Sequence, residues 1–437
     1  MKYIYFLFFL VSFTLSAQVL SEKDRALLKD ELLADRFNNL LPELMDRSEI
    51  DMWVLISREY NEDPVMRSML PAEWLNARRR TIIVFYRNKE ENTFEKLAVA
   101  RYDIGKNITS AWNKEEQPDQ WKALVEIIKT RNPKKIGINI SENFGIADGL
   151  VQTDYSEFKK ALPQNYVNKL VSAENLSIAW IETRSQKEMD LYPTLVQITH
   201  DIIDEAFSSK VISPGKTTTD DVVWWMRQKV TDMGLETWFH PTVDVQRNNE
   251  ELKSHIYSFS KGEEEKLIIP GDLLHCDFGI TYIGLNTDCQ QHAYVLKESE
   301  AEVPKFLSEA FKKGNRVQDL FTNNFVKGQT GNQILLKSLK EAKNEGLRPS
   351  IYTHPLGVYG HSGGPTIGMW DSQGGVPGTG DYPLYYNTVY AIELNATVEI
   401  KEWNKDIRIM LEEDGFYGKN GFRYINGRQE EIKKISY

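Results

Sequence analysis

The spacing of apolar positions along the chain changes period several times, and each change predicts a different element. Met52–Ser57 and Thr81–Tyr86 are short, nearly continuous apolar runs that predict strands, and Trp121–Ile128 carries apolar residues at three-to-four spacing, which predicts a helix. From about Ser185 the helical signal strengthens. Ser185 and Glu188 have capping-box spacing, and Leu191, Leu195, Ile198, Ile202 and Ala206 then recur at helical intervals. Pro193 falls inside that pattern, so a kink in the first turn or a later start is expected.

A weak repeat follows. Residues 213–235 and 326–347 each read as a Gly-Lys-Thr or Gly-Gln-Thr turn, an amphipathic helix and a closing Gly-Leu. Two such units predict a duplicated α/β half-domain with a ligand site between the halves. Between them lies GDLLHCDFGITYIGLNTDCQQHAYVL, 271–296, two alternating runs about Gly284 that read as a β-hairpin. With Gly284 near the midpoint, Asp277 is expected opposite Asp288, and Cys276 opposite Cys289 on the other face.

Two opposed carboxylates repel unless a positive charge lies between them. Two further acids end apolar strand patterns: Glu393 in TVYAIEL and Glu412 in IRIMLEED. The Gly-rich segment 354–371 supplies His361. Four carboxylates and one imidazole form an oxygen-rich set suited to Mn²⁺, Fe²⁺, Co²⁺ or Zn²⁺. Two divalent ions would balance the four charges, and such a pair can generate a bridging hydroxide and polarise a carbonyl.

Bulk properties narrow the class. With 437 residues the chain is long enough for two cores. A net charge of −10, with no run of Lys or Arg standing out, argues against nucleic acid or an anionic membrane surface as partner. The first residues carry one Lys, an apolar run from about Tyr3 to Leu15, and small residues before Gln18. This is the layout of a signal peptide, so cleavage near Ala17 is expected, with an exported mature protein and no stable membrane insertion afterwards. The two cysteines provide no disulfide framework.

The order Asp277, Asp288 eleven residues on, Gly360-His361, Glu393 and Glu412 resembles the pita-bread-fold metallopeptidases, which include methionine aminopeptidase, prolidase and aminopeptidase P. Resemblance to the last two extends over nearly the whole chain past the leader. It implies an α/β (α+β) architecture: a leader 1–17, a smaller creatinase-like N-terminal domain 18–178, and a catalytic pita-bread domain 179–437 with pseudo-twofold halves. By that resemblance Asp277 binds one ion, Asp288 and Glu412 bridge two, and His361 and Glu393 complete the second site. Glu393 is also the proton carrier, and Mn²⁺ is the expected ion. His255 is expected to contact substrate and take part in catalysis, and His354 to bind substrate. Small peptides are the implied partners, and a homodimer is compatible with the resemblance.

The chain also departs from the family. Trp370, not a histidine, precedes Asp371. The usual Asp-x-Thr-Arg-Thr reads Asp288-Cys289-Gln290-Gln291-His292, and Glu-Pro reads Glu393-Leu394. The activity implied is release of an N-terminal residue preceding proline. A prolidase-type dipeptidase, a creatinase-like hydrolase and a metal-retaining peptide-binding protein are the rivals.

Overall fold

The computed structural model describes residues 19–252 and 265–437. The leader through Ala17, and His255, lie outside the described residues. The N-terminal half is built on a six-stranded sheet of β1 (Met52–Arg58), β2 (Arg80–Asn88), β3 (Thr93–Ala98), β4 (Thr109–Ser110), β5 (Ile136–Ile138) and β6 (Leu170–Ser172), in the order β4-β3-β2-β1-β5-β6. Its central strands are apolar through their middle positions, Met52–Ile56 and Ile82–Phe85, because both faces are covered. Trp53 and Leu55 of β1 enter a core with helices Glu22–Asp35, Leu41–Ser48 and Glu174–Glu182. Met52, Val54 and Ile56 enter a second core with helices Gln120–Arg131 and Gln152–Ala161.

The helix Gln186–Ala206 opens the C-terminal half at the expected cap. The Glu188 N–H donates to Ser185 Oγ at 3.3 Å, and the Ser185 N–H donates to the Glu188 carboxylate at 2.7 Å. The helix neither starts late nor stops at Pro193. Its first turn is held by more than the cap: Arg36, from a π-helical turn in the N-terminal half, reaches Glu188 at 2.7 Å, and Arg184 reaches it at 2.9 Å. All three side chains are buried.

The repeat seen in the sequence is a repeat of structure. Segments 213–235 and 326–347 contain helices Thr219–Asp232 and Gly331–Asn344, each closed by a capping box, Thr218 with Asp221 and Thr330 with Gln333. Each unit adds a preceding helix, Gln186–Ala206 or Lys305–Thr322, and three antiparallel strands. The first unit has β7 (Thr242–Gln246) and β8 (Leu273–Phe278), then a short hairpin of β9 (Thr281–Tyr282) and β10 (Leu285–Asn286), then β11 (Cys289–Val295). The second has β12 (Pro349–Ile351), then β13 (His354–Leu356) and β14 (Thr388–Ala391), then β15 (Leu394–Ile400) and β16 (Lys405–Leu411). The matching sheets run β7-β8-β11 and β12-β15-β16. Strands β17 (Asp414–Gly418) and β18 (Gly421–Tyr424) extend β13-β14, and β19 (Lys433–Ile435) lies parallel to β11.

The hairpin register differs from expectation by two residues: Asp277 is opposite Gln290 and Cys276 is opposite Gln291. The reason is the turn, which is Ile283–Gly284, with φ of 54° and 75°. Both are positive, as a type I′ turn demands, so the hairpin is centred between these two residues. A slip of two keeps the alternation, so Asp277 and Asp288 still share a face without lying directly opposite. Cys276 and Cys289 are not opposed either, and are free thiols buried in the core behind that face.

The Gly/Pro-rich segment 363–383 returns to the N-terminal half. The Tyr382 hydroxyl donates to Glu182 Oε1 at 3.1 Å, and its ring meets Phe144 edge-on at 5.6 Å. Glu182 is buried and also faces Arg47 at 3.2 Å. Burial pushes its carboxyl up to about 7, against the pull of Arg47 and the Tyr382 hydroxyl.

Two outcomes follow from these buried acids. Glu188→Ala leaves Arg36 and Arg184 buried without their carboxylate and should cost about 3–5 kcal/mol in urea unfolding. Glu182 holds its proton more tightly folded than unfolded, so its contribution is full below its unfolded pKa and is lost as pH rises through about 7. Denaturant titrations across that window should show a decline on the order of 3 kcal/mol, which Glu182→Gln removes.

Candidate metal centre

Each half of the repeat delivers two acids to the seam between them. Asp277 lies near the end of β8 and Asp288 just before β11, whereas Glu393 separates β14 from β15 and Glu412 follows β16. The seam is closed by paired backbone hydrogen bonds, Gln290 N–H to Glu412 O at 2.9 Å and Glu412 N–H to Gln290 O at 3.3 Å. The Glu393 carbonyl is fixed by Tyr352 N–H at 3.1 Å and the Thr353 hydroxyl at 3.0 Å.

Ligand atoms of Asp288, His354 and Glu412 all lie within 4.8 Å of one another, and so do those of Asp277, Glu393 and Glu412. Glu412 belongs to both groups, the position a bridging carboxylate would hold. His354 Nε2 is 3.4 Å from Asp288 Oδ2 and 3.6 Å from Glu412 Oε1. Its Nδ1 lies 3.0 Å from the Pro355 carbonyl, an acceptor, so Nδ1 carries a proton and Nε2 is the nitrogen that faces the two carboxylates.

This arrangement departs from the sequence expectation for the histidines. His361 belongs to neither group. It is exposed, with its ring 4.6 Å from that of His354 and 5.2 Å from that of Trp238. Pairing of β13 with β14 sets His354 beside Ala391, two residues before Glu393, whereas His361 lies beyond the strand in a Gly-rich turn. Glu393 correspondingly groups with Asp277 rather than with a histidine. His240 is exposed and meets Arg227 and Trp224 instead.

Neighbouring acids are sorted by strand alternation. Glu412 turns to the centre, whereas Glu413 faces away, accepting from Gln291 at 2.8 Å and the Gln429 N–H at 3.0 Å and pairing with His200 at 2.7 Å. Asp414 accepts the Asp288 N–H at 3.0 Å and so holds the backbone of that acid.

Burial raises Asp277 and Glu412 well above the ordinary carboxylate range, and the neighbouring acids add to it. Glu393 is pushed up to about 8 by burial and by Asp288, with His354 opposing. For His354 burial disfavours the charge, but the hydrogen bond and charge of Asp288 outweigh it and raise the pKa. These shifts express one fact: four carboxylates cannot all ionise here on protein charge alone. Asp277 Oδ1, Asp288 Oδ1 and Glu412 Oε1 are buried and have no hydrogen-bond partner among the described residues. Unpartnered oxygens converging with an imidazole nitrogen fit a pair of divalent cations.

A second layer went unnoticed in the sequence. Gln290 Nε2 donates to Glu393 Oε1 at 2.6 Å and to Glu412 Oε2 at 2.9 Å. Its Oε1 lies 2.9 Å from His275 Nε2, and His275 Nδ1 lies 2.8 Å from Asp244 Oδ2. Two carboxylates require the NH₂ end of the amide, so its oxygen must face His275. The period of two was the available signal, because Gln290 shares the face of Asp288. Trp238 was missed as well. Its ring stands edge-on to both His354 and His361, and only glycine fits at 360, where an added Cβ would come within 2.2 Å of the ring. A cleft of about 730 Å³ between the two halves reaches Trp238 and Gly360.

No protein-family model and no curated protein matches the sequence. Solved structures do. An X-Pro aminopeptidase from Thermotoga maritima is 16% identical, with a TM-score of 0.60 over 89% of this chain and 100% of that one. An Xaa-Pro dipeptidase from Bacillus anthracis is 17% identical, with a TM-score of 0.57 over 94% and 99%. The N-terminal domain of the FACT complex subunit SPT16 from Cicer arietinum is 12% identical, with a TM-score of 0.52 over 95% and 99%. At these identities the likeness establishes a shared fold, the pita-bread fold.

Gln290→Met preserves volume but removes both donors to Glu393 and Glu412. Calorimetric titration with Mn²⁺ should show affinity weakened by about 10–100-fold, with the thermal transition of the metal-free protein little changed.

Proposed function

We propose that this protein, with the fold shared by X-Pro aminopeptidases and prolidases, is a metal-dependent exopeptidase acting on small peptides. The observation that carries the proposal is the convergence of Asp277, Asp288, His354, Glu393 and Glu412, with buried carboxylate oxygens left unpartnered. Of the activities considered, release of an N-terminal residue preceding proline is the preferred one.

Two divalent ions held there would supply Lewis acidity towards the scissile carbonyl and lower the pKa of a water. The chain's own groups do the rest. Glu412, common to both groups, would help to hold both ions, with Asp277 and Glu393 at one and Asp288 and His354 Nε2 at the other. Glu393 Oε2, its second oxygen, takes up the proton of the attacking water and passes it to the leaving nitrogen, while Gln290 fixes Oε1. His361, exposed beside His354, is placed to hydrogen-bond the substrate carbonyl, and Trp238 walls the site on that side. His255 remains a proposed substrate contact on the strength of the resemblance.

The second reading, a peptide-binding protein without turnover, draws on the departures at Gln290 and Gln291 and on the fold's occurrence in the FACT subunit domain.

The test is cleavage of an Xaa-Pro peptide panel, free and N-acetylated, by the protein stripped of metal and reloaded with Mn²⁺, read by mass spectrometry. Metal-dependent loss of the first residue from free-amine peptides alone is the expected result. Cleavage of dipeptides only would make it a prolidase-type enzyme, and no cleavage with two bound ions would favour the binding reading. Asp288→Ala, His354→Ala and Glu412→Ala should each lower kcat at least a hundredfold, whereas His361→Ala should retain the metal. Full turnover and metal content in Asp288→Ala or Glu412→Ala would sink the proposal.

A further inference from the structure

The overall charge of −10 conceals a local reversal in the N-terminal half. Arg78, Arg79 and Arg80 are consecutive, and with Arg58 and Arg101 they line one groove of about 750 Å³ at the junction of β1, β2 and the chain after β3. Five guanidinium groups around one cavity repel one another, so their ion pairs matter. Arg58 is neutralised by the buried Asp154, with bonds of 2.9 and 2.8 Å, and Arg80 by Glu157 at 2.9 Å. Arg78, Arg79 and Arg101 form no ion pair among the described residues, and all three are exposed. Glu59 is the one other acid lining the groove, and it is tied to the backbone N–H of Arg79 at 3.2 Å.

The free arginines are also pre-set. The Arg78 guanidinium lies 4.6 Å over the Trp74 ring and 5.5 Å from the centre of the Tyr102 ring. Stacking fixes the plane of the guanidinium and leaves its N–H edge free for an oxyanion. Arg79 holds φ at 53°, a left-handed conformation costly for a side chain of that size. One carboxylate is satisfied by one such fork. Three unneutralised forks suit a group with three acceptor oxygens and nearly two negative charges, which is a phosphoryl group. The cavity is within the range that encloses a small molecule.

We propose that this groove binds a soluble phosphorylated small molecule, held at its phosphoryl group by Arg78, Arg79 and Arg101. The proposal is independent of the peptidase reading, since none of the lining residues belongs to the metal centre.

Calorimetry on the metal-loaded full chain with phenyl phosphate and with benzoate tests it, because the two probes share a ring and differ in the anion. The expected result is saturable binding of phenyl phosphate, at least tenfold tighter than benzoate and weakened by raising the salt. Arg79→Gln/Arg101→Gln should weaken it tenfold or more without altering peptide turnover. Arg78→Lys, which keeps the charge and loses the stacked fork, should weaken it by a smaller factor. Binding unchanged in the double variant would place the anion elsewhere, the metal pair included, and overturn the proposal. Equal affinity for benzoate would overturn the phosphoryl assignment. Capture by phosphatidic acid vesicles without saturable binding of phenyl phosphate would overturn the soluble source.

Discussion

Like-charge repulsion between buried carboxylates governs this structure. Asp277, Asp288, Glu393 and Glu412 are drawn from four places in the chain into one volume, where desolvation and mutual repulsion drive the pKa values of Asp277, Glu393 and Glu412 up. A protein bears that cost only where a cation or a proton relieves it. The rest of the C-terminal half reads as the apparatus that holds these groups together. Its duplicated units face each other so that each contributes two acids, and the backbone bridge between Gln290 and Glu412 fastens the seam where they meet.

Around that centre the polar groups are layered with little redundancy. Gln290 ties the Glu393 and Glu412 carboxylates to the pair His275 and Asp244, so their orientation is set from β7 and β8. Asp414 fixes the Asp288 backbone from the opposite unit. On the reverse face of β8 and β11, Cys276 and Cys289 lie in apolar packing, and Glu413 is absorbed by His200, Gln291 and Gln429. Strand alternation thus separates a carboxylate-bearing face from one lined by thiols and apolar side chains within a single hairpin.

The N-terminal half supports this assembly through buried ion pairs and not through apolar contact alone. Glu188 links the π-turn residue Arg36 to the first helix of the C-terminal half, and Glu182 receives both Arg47 and the Tyr382 hydroxyl of the Gly/Pro-rich segment. The segment that follows His361 is therefore anchored on the opposite half of the molecule. Both acids lie in or beside the chain that joins the two halves, so that junction is held by buried polar contacts as well as by packing.

The strands Met52–Ser57 and Thr81–Tyr86, the cap at Ser185, the turn-helix repeat and the four acids were all legible in the sequence, because each depends on local spacing or on residue type. Parity was legible too, which is why Asp277 and Asp288 were assigned to one face correctly although the register was off by two. What the sequence left open depended on chain geometry at a distance. Whether Ile283 accepts a positive φ decides the register, and Gly284 alone does not reveal it. Which histidine meets Asp288 depends on the pairing of β13 with β14 across more than thirty intervening residues, so His354 rather than His361 stands at the centre. Gln290, Trp238 and the arginine groove carry no motif, and only the folded chain gathers their partners. Sequence by itself determined the kinds of groups and the faces they occupy, because alternation is a property of the local backbone. Tertiary structure decided which of those groups meet, because strand register and the seam between the two halves are fixed only when the cores pack.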